Sequence, residues 1–166
     1  DALPEIAARN PGCRVAGTRS CAPVYDACRI PTASRVTLEA GRSFRLDDVA
    51  VHAVAADHGE LSADALSLFF DFGRTSAFFS GDTALRLERV RSFADPRPDV
   101  VLPCINGAFG NMNARDAARL VEALAPHHVV RDVMDCSRLR RDRHPRILEP
   151  VVRVEHAPDR TLSREY

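Results

Sequence analysis

Ser80-Gly81-Asp82-Thr83 follows the apolar run Ser76-Ala77-Phe78-Phe79. The run suits a buried strand bounded by turn residues, so Asp82 falls where a strand stops and a loop opens. Burying even a neutral polar group without a partner costs about 2–7 kcal/mol. A carboxylate in that position therefore calls for a metal ion, a cation or a set of backbone N–H groups. A competing role is to cap the helix that the pattern predicts from near Leu85, since Ser-Gly-Asp-Thr is a good helix-entry sequence.

His58, in Ala55-Ala56-Asp57-His58-Gly59-Glu60, is the second candidate. A lone histidine is commonly structural, but this one lies one hairpin away from Asp82. Hairpin register can bring two such strand ends to the same edge, and a His and an Asp there form part of a carboxylate/imidazole metal site. The third candidate is the loop Ile105-Asn106-Gly107-Ala108-Phe109-Gly110-Asn111-Met112-Asn113. Its glycines and asparagines permit positive φ and close backbone approach. It is either a turn with a helix cap or a loop whose amides hold a polar substrate near a helix N-terminus. His127 and His128 are adjacent on an expected strand, so they face opposite ways and cannot both ligate one ion. Asp135 follows that strand and on its own says little.

The elements that must position these residues are legible as periodicities. Asp1 to Arg9 reads as a helix stopped by Asn10-Pro11-Gly12, and Pro23 to Cys28 as a short second helix. Arg14-Val15-Ala16 and Arg35 to Leu38 are strand candidates. Ser43 to Leu46 and Val49 to Ala56 form a hairpin around Asp47-Asp48. In its second strand Val49, Val51, Ala53 and Ala55 share one face, with His52 and, if the strand runs on, His58 on the other. Leu66 to Phe72 turns through Gly73-Arg74 into Ser76 to Phe79. A helix over Leu85 to Phe93, a strand over Asp99 to Pro103, a helix over Ala114 to Leu124 and a strand from Val129 complete the order. Asn113 is the expected cap of the last helix, with Asp116 at its third position. Beyond Asp132 the sequence is Arg-rich and irregular. A helical turn over His144 to Leu148 and an edge strand over Val151 to Val154 are the elements expected there. Hairpins followed by helix-strand-helix-strand predict a layered α/β fold with helices outside.

The 166 residues suffice for one domain with a real core. Lys+Arg 23 balances Asp+Glu 23, so no polyelectrolyte such as nucleic acid is implied. Every basic residue is Arg, which excludes a Schiff-base or P-loop lysine. The cysteines, Cys13, Cys21, Cys28, Cys104 and Cys136, are odd in number and contain no Cys-x-x-Cys. Reduced thiols in a cytoplasm are the simplest expectation. No apolar stretch is long enough for a membrane span, and no signal peptide is visible.

Taken together, Ala56-Asp57-His58-Gly59-Glu60, Phe79-Ser80-Gly81-Asp82-Thr83, Leu102-Pro103, Ile105-Asn106-Gly107 and Gly110-Asn111-Met112-Asn113 resemble the metallo-β-lactamase superfamily, most closely its ascorbate-phosphate lactonase-like branch. Leu3-Pro4-Glu5-Ile6-Ala7 with Asn10-Pro11 resembles the helix after that family's first metal motif. The resemblance runs from Asp1 to about Asp135. It implies an αββα sandwich with a metal site at one edge between the sheets. The metal is usually zinc, with manganese or iron as alternatives, and a metal-bound water with a pKa near 7 attacks an ester, lactone, amide or phosphodiester. Asp82 would be a carboxylate ligand, His58 a ligand or a substrate-side group, and Asn106 and Asn111 would lie near the substrate. The family's His-x-His-x-Asp-His motif does not occur, and its expected place is immediately before Asp1, as in a domain truncated at its N-terminus. The family's later histidine would fall near Val133 or Met134, neither of which ligates such a metal, with Asp135 matching the aspartate that follows it.

The expectation is therefore a single, incomplete metallo-β-lactamase-like domain over residues 1–166, with 136–166 as an Arg-rich tail. Its function would be that of a metal-dependent hydrolase acting on a small polar ester, lactone or phosphorylated substrate. The alternative is a degenerate member of the fold that binds without catalysis. Expected partners are a small-molecule substrate and, through exposed sheet edges, further copies of the chain as a homo-oligomer. Neither nucleic acid nor a membrane is indicated.

Overall fold

Alternation in the sequence becomes a six-stranded sheet in the computed structural model, which describes residues 2–130. Its strands, in spatial as in chain order, are β3 (Ser43–Leu46), β4 (Val49–Ala55), β5 (Leu66–Asp71), β6 (Ser76–Phe79), β7 (Val100–Leu102) and β8 (His128–Val129). β3 to β6 are successive antiparallel pairs, while β7 and β8 join in parallel. The β3–β4 turn places Leu46 opposite Val49 and holds Asp47 at φ 54°, a conformation that Asp tolerates better than most residues. The β5–β6 turn uses Gly73 at φ 83°, whose N–H donates to Asp71 Oδ1 at 2.7 Å.

Parallel neighbours need a crossover, and here each is a helix. β6 reaches β7 through α3 (Leu87–Val90), extended by a 3₁₀ turn over Arg91–Phe93. β7 reaches β8 through α4 (Ala114–Leu124), capped by the Asn113 side chain, which accepts from the N–H groups of Arg115 and Asp116. Register sets Phe69 opposite Phe78 and Phe78 opposite Val101, so one row of side chains faces the helices. That row meets Val90, Phe93, Leu120 and Leu124 in the main core. Phe69 stacks on Phe93 with centroids 5.0 Å apart.

The first part of the chain forms a smaller unit. α1 (Leu3–Arg9) and α2 (Ala22–Ala27) accompany a parallel pair, β1 (Val15–Gly17) and β2 (Arg35–Thr37). Tyr25, Ile30 and Leu38 are buried in this part of the chain. It is tied to the β4–β5 loop by the Ser20 N–H, which donates to Asp64 Oδ2 at 2.9 Å. Val51 and Ala53 face away from the row carrying Phe69, yet they too are buried. The layered α/β architecture is as expected, although the second sheet has only two strands among the described residues.

Two local expectations change. β4 stops at Ala55, so His58 does not continue the face that carries His52. The helix expected over residues 85–93 begins only at Leu87 and tightens to 3₁₀ geometry at Arg91. The expected elements over residues 144–148 and 151–154, the tail over 136–166, and Val133, Met134 and Asp135 lie outside the described residues. No helix among the described residues is long and apolar enough to cross a membrane.

Candidate functional site

β4, β6 and β7 all run in the same direction, because each of the first two is antiparallel to β5 and the third is parallel to β6. Their C-terminal ends therefore open on one edge. The loops that follow, 56–65, 80–86 and 103–113, carry the residues singled out from the sequence.

Thr83 joins these loops. It is 7% exposed, and its hydroxyl accepts from the Asp57 N–H at 2.8 Å while donating to the Ala84 carbonyl. Its own carbonyl accepts from the Met112 N–H at 2.8 Å. The return contact runs from the Ala84 N–H to the Asp57 carbonyl at 2.7 Å. Ser80 does the same work one turn earlier. Its N–H donates to the Leu102 carbonyl at 3.1 Å, and its hydroxyl accepts from the Cys104 N–H at 2.8 Å. Between them Gly81 adopts φ 60°, and a Cβ there would lie 2.7 Å from the Leu66 carbonyl oxygen. Only glycine meets both demands.

Asp82 is not the buried carboxylate that its position predicted. It is exposed, and among the described residues no hydrogen bond or ion pair reaches it. Nor does it cap a helix: α3 starts at Leu87 with Arg86 as its first flanking residue and no side-chain cap bond. Burial goes instead to the hydroxyls on either side, because each can accept and donate and so satisfy the backbone of a neighbouring loop.

His58 lies in the loop after β4, just before a 3₁₀ turn over Gly59–Leu61. It is half-buried, and its Nδ1 is enclosed without a hydrogen-bond partner. His52 is a separate matter. Its Nδ1 lies 2.7 Å from Ser43 Oγ, and its ring packs near Phe69 and Phe93.

The two loop asparagines divide their tasks. Asn106 Oδ1 accepts from the Ala108 N–H at 3.1 Å and shapes the loop. Asn111 is 8% exposed, with its Oδ1 enclosed and unpartnered. The loop is closed beneath them by the Gly107 N–H donating to the Met112 carbonyl at 3.0 Å. The family resemblance implies a place near the substrate for both asparagines; of the two, Asn106 spends its Oδ1 on the loop and Asn111 has no partner for its own among the described residues. His127 and His128 are exposed at β8.

Asp57 is the residue whose role the sequence did not disclose. Its carboxylate takes the Arg86 Nε–H at 2.6 Å, with a second contact from the same guanidinium. That hydrogen bond, followed by one from the Gly59 N–H, holds the carboxyl below its usual range. Arg89 adds a clamp from its Nη1 to the carbonyls of Ala55 and Ala56. The only signal was adjacency to His58.

A metal does not fit the described residues on their own. Among them no three His, Cys, Asp or Glu side chains come together, whereas a zinc site takes three protein ligands and a water or four protein ligands. His58 and Asp82 are too few donors to hold an ion.

No family model matches this sequence, and no curated protein does. Solved structures do resemble it. The metallo hydrolase Igni18 of the hyperthermophilic archaeon Ignicoccus hospitalis aligns at TM-score 0.62 and 19% identity, over 78% of this chain and 56% of that one. The metallo-β-lactamase fold protein YhfI of Bacillus subtilis aligns at TM-score 0.55 and 11% identity, over 71% and 50%. CmlA, a diiron β-hydroxylase of Streptomyces venezuelae, aligns at TM-score 0.59 and 16% identity, over 73% and 30%. The chain thus spans about half the length of the first two of these proteins. At such identities the likeness speaks to architecture, and that architecture is the metallo-β-lactamase fold.

Proposed function

We propose that this chain supplies one edge of a metal-dependent hydrolase site acting on a small polar ester, lactone or phosphorylated substrate. Three side-chain atoms among the described residues are enclosed and unpartnered, His58 Nδ1, Asn111 Oδ1 and Asp64 Oδ1, and the first two carry this reading. They sit in loops stitched to the same residue: the neighbours Asp57 and Met112 both donate to Thr83. Enclosed polar atoms are normally paired, so two orphans at one edge invite a ligand. The fold shared with the metallo hydrolase Igni18 supports the same reading.

In this reading Asp82 and His58 are donors to a zinc, manganese or iron ion whose remaining ligands lie outside the described residues. The free carboxylate of Asp82 suits that role. Asn111 accepts a hydrogen bond from substrate, Asn106 holds the loop in shape, and the Thr83 junction fixes the spacing of the three loops. The test is metal analysis of the full-length protein with a hydrolysis screen over esters, lactones and phosphate esters. Asp82→Ala and His58→Ala are expected to lower bound metal and to reduce turnover at least about a hundredfold. Unchanged metal content in Asp82→Ala would overturn the reading.

A second reading, a binding module without catalysis, is favoured by the lack of a three-donor cluster among the described residues. It is supported if the full-length protein holds no metal and hydrolyses nothing, yet binds a small polar ligand with an affinity that Asn111→Ala abolishes.

A further inference from the structure

Phe109 occupies a position that its side chain does not favour. The Asn111 N–H donates to the Ala108 carbonyl at 3.0 Å, closing a turn whose central residues, Phe109 and Gly110, have φ 55° and 82°. Positive φ at both central positions is the pattern of a type I′ turn, which is best served by Asn-Gly. Gly110 obeys that rule and Phe109 breaks it, at a cost in stability that follows from the clash of Cβ with the backbone. The residue is also 75% exposed, so packing returns nothing in compensation.

Exposed apolar residues are common and need no explanation singly. Ile6, Val24, Leu61, Phe72 and Val130 are others among the described residues, but none of them has positive φ. Phe109 alone combines both. Its frame is firm: Asn106 Oδ1 holds the Ala108 N–H, and the Gly107–Met112 bond closes the base of the loop. Two residues on, Asn111 keeps an enclosed, free acceptor. A strained residue on a braced loop beside a candidate site is a reason to look for function.

The geometry points to Phe109 as a specificity-determining residue: an apolar platform for a substrate that carries an acyl chain or ring next to its hydrolysable polar bond. This rests on the hydrolase reading above and narrows its substrate class. A phenylalanine ring offers about 150–250 Å² of surface to bury.

The experiment compares the full-length protein with Phe109→Asn and Phe109→Leu, using p-nitrophenyl acetate and p-nitrophenyl hexanoate. Phe109→Asn removes the strain and the platform together. It is expected to raise the thermal midpoint by about 2–8 °C while lowering the hexanoate-over-acetate ratio of kcat/KM about tenfold. Phe109→Leu is expected to keep most of that ratio. A lower midpoint in Phe109→Asn, or an unchanged ratio, overturns the proposal. If neither ester is hydrolysed by any of the proteins, the hydrolase reading is decided by its own metal analysis and wider substrate screen, and the platform is judged by binding. These 166 residues contain no Trp but two Tyr, so Phe109→Trp, excited selectively over tyrosine, reports on this loop by its difference from the unsubstituted protein. The variant's emission should shift to the blue with saturation on adding hexanoate ion and stay unmoved by acetate. No shift with hexanoate would overturn the platform as well.

Discussion

Thr83 shows how much one hydroxyl can organise. Its Oγ both accepts from Asp57 and donates to Ala84, in a place where water has little access. Thr83→Val keeps the shape but strands the Asp57 N–H and the Ala84 carbonyl. Each unsatisfied group costs about 1–3 kcal/mol, so urea unfolding should show a loss of at least about 1 kcal/mol, largely recovered in Thr83→Ser. The sequence pointed to this tetrapeptide for its carboxylate, and the structure gives the buried places to the hydroxyls beside it. Composition reveals that Ser-Gly-Asp-Thr is a site where backbone polar groups must be satisfied. It does not reveal which side chain turns inward, because that depends on distant loops on either side in the chain, at Asp57 and Met112. His58 and Asn111 were legible as candidates by residue type and by their place after apolar runs. That their ring nitrogen and amide oxygen are left unpartnered was not.

At the scale of elements, the strands and helices were read closely from the sequence where periodicity was strong. α4 begins and ends where its apolar spacing and its Asn cap put it, with Ala117, Leu120 and Leu124 buried. Replacing Asn113 by Ala removes the acceptor for two helix N–H groups and should lower stability by about 1 kcal/mol, seen as an earlier midpoint in thermal unfolding followed by circular dichroism. Misreadings fell at ends. The pattern predicts β4 as far as Ala56, but Arg89 takes the carbonyls of Ala55 and Ala56, and the chain leaves the sheet before His58. The short helix α3 was read two residues early, since Leu85 packs against the core without being helical. Side-chain contacts from distant elements decide such boundaries, and local pattern does not carry them.

For the whole molecule, three carboxylates act as fasteners between parts. Asp57 joins the β4 loop to Arg86. Asp64 holds the Ser20 N–H and so links the small unit to the large sheet. Asp99 takes both the N–H and the hydroxyl of Ser76, locking the start of β6 to that of β7. Each has its pKa lowered, by the Arg86 hydrogen bond in the first case and chiefly by backbone N–H groups of Ser20 and Ser76 in the others. A carboxyl with a folded pKa below its unfolded value, about 3.9 for Asp, contributes stability in full above that value. The contribution disappears as the pH falls through the folded value. The thermal midpoint should therefore be level from about pH 7 to about pH 5 and fall below about pH 4. Asp64→Asn and Asp99→Asn should each lower the midpoint at neutral pH and make the acid decline shallower. An equally steep decline in the double variant would show that other groups set it.

The Thr83 junction also bears on how this chain can vary in length. Residues 57, 83 and 112 are pinned to one another through backbone atoms and the Thr83 hydroxyl, so apart from Thr83 the spacing of the pinned residues matters more than the identity of the side chains between them. Insertions or deletions in the three loops are then confined to stretches that do not alter those pinned spacings, such as the exposed turn over Gly59–Leu61. A residue added between Ser80 and Thr83 would displace all three loops at once. The edge that carries the candidate site is thereby held to fixed spacings, and change is left to the side chains other than Ser80, Gly81 and Thr83.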